Sequence, residues 1–162
     1  MAASNTDASP CAILAADAPA RTRPSNYPEP FASMMDGRIK HPLGDLFGLG
    51  HFGVNLTQLP PGCVSALHHV HSRQEEFIYV LEGRPTLLLG EQIIELQPGS
   101  VAGFPAGGQA HHLHNRTAEM CVILEVGCRT AGDTVAYPSD DIQAVAGADG
   151  KWQFTHKDGS PY

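Results

Sequence analysis

Histidines are the residues in this chain best suited to chemistry, and six of the nine fall into two short clusters about forty residues apart. The first cluster opens the stretch "HHVHSRQEEF" at residues 68–77, where two adjacent glutamates follow the histidines. Imidazole nitrogens and carboxylate oxygens together make a mixed ligand set for divalent transition metals. The clusters therefore suggest a metal site built from distant parts of the chain. The six histidines are His68, His69, His71, His111, His112 and His114.

Strand geometry separates these histidines into two groups. Residues two apart in a strand face the same side, so His69 and His71 can point to one place while His68 faces away. On the next predicted strand, Glu76 shares its face with apolar residues. An unpaired carboxylate inside an apolar barrel costs several kcal/mol, so an interior Glu76 requires a cation. A divalent metal ion would supply that charge.

The composition favours an all-β scaffold for such a site. The chain has 162 residues, 42% of them hydrophobic, which suits a single compact domain. Its seventeen glycines and thirteen prolines lie between short apolar runs, as expected for many short strands in a sandwich or jelly-roll barrel. The predicted strands include "HFGVNLTQL", "EFIYVLEG", "RPTLLLG", "EQIIEL", "VAGFP", "HHLHN" and "EMCVILEVG", with Gly90 and Glu91 as a two-residue hairpin turn.

The two ends of the chain have less regular patterns. Residues 1–30 predict an extended or flexible N-terminal arm, and residues 31–162 predict one barrel domain with a C-terminal tail from about residue 130. A helical turn is expected near "FASMMD", ending at Gly37. Only one brief strand, at 152–155, is expected in the tail.

Charge and cysteine content limit the classes of partner. The formal charge is −7 and no lysine or arginine cluster occurs, which argues against nucleic-acid and polybasic membrane binding. No apolar run could span a bilayer, and the N-terminus lacks a basic signal region, so a cytoplasmic location is expected. The four irregularly spaced cysteines are interpreted as reduced, small buried residues, with a Cys121–Cys128 redox pair as the alternative.

The two histidine clusters also carry a family resemblance. His69-Val70-His71, four residues, Glu76, six residues and Gly83 resemble the first cupin motif, with Gly62 one position further away than usual. The second motif is matched by Gly99, Pro105-Ala106-Gly107, His111 and Asn115, with one extra residue before His111. The match extends over roughly residues 25–140, and its context is similar to small bacterial single-domain cupins, some of them named as sugar-phosphate isomerases.

The resemblance implies a double-stranded β-helix with a mononuclear metal centre. The implied ligands are His69, His71, Glu76 and His111, and the ion is one of Fe, Mn, Ni, Co or Zn. Cupins commonly pair, so a homodimer is expected, with the N-terminal arm as a means of clasping a second barrel.

Other residues near the motifs are assigned plainer roles. His68 and His112 are expected to face away from the metal, and His114 could line the mouth of the pocket. Asn115 is expected to close a turn, and Phe77, Tyr79 and Phe104 are expected in the core. The arginines near the motifs are surface charges or local candidates to hold a phosphate, namely Arg73, Arg84 and Arg116.

Three hypotheses about function follow. The leading one is a metal-dependent enzyme that isomerises or epimerises a small oxygenated metabolite such as a sugar phosphate, with a general base that the sequence does not identify. The second is a ferrous dioxygenase, which would consume oxygen. The third is a non-catalytic barrel that binds or senses a small molecule.

Overall fold

The computed structural model describes residues 12–23, 25–147 and 150–162, and these are organised around short antiparallel strands. One short α-helix, α1 (Leu43–Leu46), and two 3-10 turns, Ala15–Asp17 and Ser33–Met35, accompany the strands. The strands are β1 (Ile39–His41), β2 (Phe52–Leu59), β3 (Val70–His71), β4 (Glu76–Glu82), β5 (Thr86–Leu89), β6 (Gln92–Glu95), β7 (Val101–Phe104), β8 (His111–His114), β9 (Cys121–Cys128), β10 (Thr134–Ala136), β11 (Gln143–Ala146) and β12 (Trp152–Thr155).

The strands form two facing layers. One layer is a five-stranded sheet in the order β1-β2-β9-β4-β7. The other combines β12-β11-β10-β3 with β6-β5-β8, and an antiparallel bridge between His69 and His111 connects these two sheets. This arrangement confirms the predicted all-β jelly roll. It also brings the two histidine clusters next to each other, since β3 and β8 meet at that bridge.

Apolar residues fill the space between the layers. One core cluster joins Leu59, Val80 and Ile123 of the five-stranded sheet to Leu87 and Leu113 of the opposite layer. A second cluster includes Met35, Leu67, Tyr137 and Ile142. Burying each such side chain contributes about 1.5–3 kcal/mol relative to leaving it exposed. The barrel therefore has a hydrophobic core next to the polar region that contains the histidines.

Two glycines explain tight turns in the barrel. Gly83 directly follows β4 with φ +75°, and a Cβ there would lie 2.5 Å from the carbonyl oxygen of Met120 and 2.7 Å from the sulfur of Cys121. Only glycine fits that position. Gly90 and Glu91 form the predicted two-residue turn, because Leu89 pairs directly with Gln92.

The expected core position of two aromatic residues is wrong. Phe77 and Tyr79 are 42% and 39% exposed, whereas Phe104 is buried as predicted. The reason is that both faces of β4 are apolar, so composition alone does not show which face is interior. Glu76, Ile78 and Val80 occupy the inner face.

The C-terminal segment contains more strands than predicted. Besides β12 at the predicted position, β10 and β11 extend the second layer, and β10 pairs with β3. Their sequences, "TVA" and "QAVA", are too short and too rich in small residues to produce a clear alternating pattern. The helical turn expected near "FASMMD" corresponds to the 3-10 turn at Ser33–Met35.

The described part of the N-terminal arm lies on the barrel. Ala18 is buried, and its carbonyl oxygen is 2.7 Å from Nδ1 of His41. The amide of Arg21 donates to the carbonyl oxygen of Lys40. Tyr27 packs edge-on against Tyr137. Residues 1–11 and 24 lie outside the described residues, and the division into arm, barrel and tail stays a prediction.

The cysteines do not form the alternative redox pair. Cys121 and Cys128 stand at opposite ends of β9, and both are free thiols, as is Cys63. Cys121 is fully buried, while the other two are half-buried. Cys11 lies outside the described residues.

Candidate metal centre

Four side chains from three strands and their edges meet inside the barrel. His69 precedes β3 and His71 ends it, Glu76 begins β4, and His111 begins β8. Oε2 of Glu76 is 3.0 Å from Nε2 of His111, 3.3 Å from Nε2 of His69 and 3.7 Å from Nε2 of His71. The structure thus brings together all four residues named from the sequence. Their role as ligands stays a prediction.

A buried carboxylate fixes the orientation of His71. Nδ1 of His71 donates to Oδ2 of Asp133 over 2.5 Å, so the opposite ring nitrogen points towards Glu76. Asp133 is fully buried, and its other oxygen accepts the amide of Arg73 at 2.7 Å and the hydroxyl of Ser72 at 3.0 Å. Acceptors of this kind hold metal-binding imidazoles in one tautomer and one orientation.

The other two inner imidazoles are held in different ways. Nδ1 of His69 donates to the carbonyl oxygen of Leu67 over 2.8 Å, and the ring lies 6.1 Å from the ring of Tyr137. The ring of His111 stacks on Phe104, with centroids 3.5 Å apart and planes 6° from parallel. Both imidazoles therefore keep Nε2 directed at Glu76.

Protonation at this centre reflects the close contacts of its members. Burial alone would raise the pKa of Glu76, but hydrogen bonds from His111 and His69 hold that pKa well below its usual range. Burial likewise works against a charge on His69, yet the nearby Glu76 carboxylate raises its pKa. For His111, burial is the stronger influence and lowers the pKa. Glu76 is thus ionised and available as an anionic ligand.

This donor set fits a divalent metal ion. His69, His71 and Glu76 offer ligand atoms that all lie within 4.8 Å of one another, so this group could hold one ion. A carboxylate and neutral imidazoles suit Fe(II), Mn(II), Co(II), Ni(II) or Zn(II) without selecting among them. The chemistry of the group agrees with the metal expected from the sequence.

The four residues line a large cavity. Its volume is about 910 Å³, within the range of small-molecule sites. Trp152 stands beside His71 at the cavity wall, with ring centroids 5.8 Å apart. Lys40 and Glu125 also line the cavity, and Thr57 contacts Glu125.

The arginines near the motifs do not line this cavity. Arg84 forms an exposed ion pair with Glu95, and Arg116 donates to His114 at the surface. Arg73 also lies outside the cavity wall. The cations that do reach the cavity come from segments far from the motifs: Arg21, Arg38, Lys40 and Arg129. The surface position expected for Arg84 and Arg116 is confirmed, and none of the three local candidates for phosphate binding lies at this cavity.

The remaining histidines of the clusters face away from the centre, as predicted for His68 and His112. Their rings lie 5.5 Å apart on the opposite side of the same strands. Burial, followed by neighbouring imidazoles, lowers the pKa of His112 to about 4. His114 contacts Arg116 and does not line the cavity, so its suggested place at the pocket mouth is wrong.

Asn115 has the structural role expected for it. Its amide nitrogen donates to the carbonyl oxygens of Leu59 and Glu119, and its Oδ1 accepts from the amide and hydroxyl of Thr117. The side chain is fully buried and closes the turn after β8.

Three polar residues near the site were not predicted from the sequence. Asp133 and Lys40 lie in segments without a clear strand pattern. Glu125 could have been found, because it interrupts the apolar strand "CVILEVGC" on the same face as Cys121 and Ile123. A charge at an interior position of an apolar strand is the same signal that identified Glu76.

Comparison with known proteins agrees with the fold and the motifs. A family model described as a cupin domain matches residues 55–127. A crystal structure from Silicibacter pomeroyi DSS-3, named as a sugar phosphate isomerase of the cupin superfamily, is 42% identical, with a TM-score of 0.80. The match covers 85% of this chain and 88% of that one. The chain belongs to the cupin superfamily.

Two further structures extend the comparison. A protein of Acidithiobacillus ferrooxidans, provisionally named a sugar phosphate isomerase, is 34% identical, with a TM-score of 0.70, and the match covers 77% of this chain and 80% of that one. The polyketide cyclase RemF of Streptomyces resistomycificus is 22% identical, with a TM-score of 0.59 over 72% of this chain and 78% of that one, and it shows the shared fold alone. No curated protein matches the chain.

Within the described residues, no helix has the length and apolar character needed to cross a bilayer.

Proposed function

We propose that this protein is a metal-dependent enzyme that isomerises or epimerises a small oxygenated metabolite such as a sugar phosphate. The observation that supports it most directly is the approach of three imidazole Nε2 atoms to one carboxylate oxygen of Glu76 within 3.7 Å. The names of the structures from Silicibacter pomeroyi and Acidithiobacillus ferrooxidans favour this reaction class over others.

In this proposal, His69, His71, Glu76 and His111 hold one divalent ion. Such an ion, when bound, polarises a substrate carbonyl as a Lewis acid. The chain supplies the rest of the environment. Asp133 fixes His71, and Phe104 fixes His111 by stacking. Tyr137 flanks His69 and Trp152 flanks His71, so aromatic rings line one side of the centre.

The experiment is a metal analysis followed by an assay for proton exchange. The protein is purified without chelator, its metal content is measured, and it is incubated anaerobically in D₂O with D-ribose 5-phosphate and D-fructose 6-phosphate. Isomerisation by proton transfer would incorporate deuterium next to the carbonyl, which NMR detects. The double variant His69→Ala/His111→Ala is the control and should show neither metal nor exchange.

A parallel incubation in air, with the same sugars and an oxygen electrode, separates the rival functions. Oxygen uptake that depends on substrate, together with bound iron, would indicate a dioxygenase and contradict the isomerase. Thermal stabilisation by these sugars without any product would indicate a binding or sensing barrel.

We also propose that the protein is a homodimer, as members of this superfamily commonly pair. Support comes from the outer face of the five-stranded sheet, where Phe77, Tyr79, Leu81 and Val101 are all exposed on the adjacent strands β4 and β7. A second copy would remove this apolar patch from water. Light scattering should give the mass of a dimer for the natural protein and of a monomer for Phe77→Glu/Tyr79→Lys. A monomeric natural protein would contradict the proposal.

A further inference from the structure

A second polar group lies inside the barrel, apart from the histidines. Nζ of Lys40, on β1, is 2.7 Å from Oε2 of Glu125, on β9. The hydroxyl of Thr57, on β2, donates to the same oxygen over 2.7 Å. The side chains of Lys40 and Glu125 are only 17% and 18% exposed.

Strand register puts this group next to the candidate metal centre. Glu125 pairs with Ile78, and Gly127 pairs with Glu76. Glu76 and Glu125 are therefore inward-facing residues on adjacent strands, one diagonal step apart, which corresponds to roughly 7–8 Å between backbones. Both carboxylates line the same cavity. A molecule that contacts Glu76 can reach Glu125 without leaving the barrel.

Stability does not account for this ion pair. Apolar residues of similar volume in place of a buried ion pair are often neutral or stabilising, because both charges must lose water to enter the interior. The neighbouring inward positions of β9, Cys121 and Ile123, are apolar and fully buried. Both members of the pair line the cavity, so a ligand that enters the cavity can reach them.

The pair also has unused hydrogen-bonding capacity. Both contacts of Glu125 go to Oε2, and in the described part of the chain Oε1 has no protein partner. Lys40 gives one of its three N–H groups to Glu125. The pair can thus accept one hydrogen bond and donate others, which matches a hydroxyl group because a hydroxyl both donates and accepts.

Charge balance at this pair favours a hydroxyl group over an anion as its ligand. The positive charge of Lys40 is already offset by Glu125. An anionic group at this place would compete with Glu125 for Lys40. A neutral hydroxylated carbon chain would meet no such competition.

We propose that Glu125 and Lys40 bind the hydroxyl groups of a polyhydroxylated substrate and position it against the metal centre. This inference rests on the proposed function and specifies its substrate class. Thr57 contributes by holding Oε2 of Glu125, which leaves Oε1 for the ligand. Glu125 and Lys40 are substrate-binding residues, separate from the four candidate ligands.

The test measures binding of xylitol, a neutral five-carbon polyol, to the metal-loaded protein by calorimetry. Inorganic phosphate is the anionic probe. The natural protein should bind xylitol, and the double variant Lys40→Met/Glu125→Leu should bind it at least about tenfold more weakly, as expected for losing hydrogen bonds worth a little over 1 kcal/mol. This variant should still fold, because the charges are removed together.

A matched control is available at the surface. Arg84→Met/Glu95→Leu removes an exposed ion pair of the same charge types and should leave xylitol binding unchanged. Metal content is measured for every variant. A natural protein without metal at the histidine centre would refute the proposed function itself. Metal-loaded protein that fails to bind xylitol, prefers phosphate in a Lys40-dependent manner, or binds xylitol equally in the double variant would overturn the substrate-binding role alone.

Discussion

Two sets of histidines occupy opposite faces of the same strands, and they differ in their partners. The inner set, His69, His71 and His111, surrounds the Glu76 carboxylate. The outer pair, His68 and His112, packs ring against ring. Nε2 of His68 and Nδ1 of His112 are buried and have no hydrogen-bond partner among the described residues; the same is true of Nδ1 of His111, but its Nε2 faces Glu76. Histidines adjacent in sequence therefore differ in role: His69 and His111 are candidate ligands, whereas His68 and His112 pack against each other.

The difference shows that partners, more than residue type, decide what a histidine can do. His69 and His71 each have Nδ1 fixed by an oxygen acceptor, so Nε2 is presented to the interior. His112 is surrounded by other imidazoles, and its lowered pKa keeps it neutral. If this interpretation is correct, changes to the inner face should alter metal binding and changes to the outer face should not.

The largest effect is expected from removing two inner histidines together. His69→Ala/His111→Ala should retain less than about a tenth of an equivalent of metal, because half of the ligand set is lost while the apolar core remains intact. Elemental analysis measures the metal, and circular dichroism checks that the barrel still folds. A full equivalent of metal in a folded double variant would contradict the assignment.

Two glutamates adjacent in sequence, Glu75 just before β4 and Glu76 at its start, provide a sharper comparison. Glu76→Gln should reduce metal affinity by about a hundredfold or more, because the carboxylate that all three imidazoles approach loses its charge. Glu75→Gln should leave affinity unchanged, since Glu75 is exposed. Competition with a chromophoric chelator measures both. Equal losses in the two variants would show that the register of β4 is misassigned.

A smaller effect is expected from the residue behind His71. Asp133→Asn should weaken metal binding by about 10–100-fold, because the amide is a poorer acceptor for Nδ1 of His71. The carboxylate also accepts the hydroxyl of Ser72 and the amide of Arg73, so a lower melting temperature should accompany the change. If metal affinity were unchanged while the melting temperature fell, Asp133 would have a purely structural role.

The smallest effect on metal binding is expected from the outer pair. His68→Gln/His112→Gln should keep one equivalent of metal with affinity within about twofold of the natural protein, because neither ring faces Glu76. The same chelator competition applies. A loss as large as that of the inner double variant would remove the distinction between the two faces.

Much of this arrangement was predictable from strand alternation and motif spacing. Alternation separated His68 from His69 and put Glu76 on the inner face, and the two motifs linked His111 to the first cluster. Alternation could not decide the faces of Phe77 and Tyr79, because apolar residues occupy both sides of β4. It also missed Asp133 and Lys40. Asp133 reaches His71 because β10 pairs with the distant strand β3, and Lys40 lies on β1, a short strand without a clear sequence pattern.

The most direct test is anomalous X-ray diffraction from crystals of the natural protein grown without chelator, at the absorption edge of the metal found by elemental analysis. One strong anomalous peak is expected in the barrel, about 2.0–2.2 Å from Nε2 of His69, His71 and His111 and from a carboxylate oxygen of Glu76. A peak located instead at the outer pair His68 and His112, or no peak at the inner site in metal-loaded crystals, would contradict it.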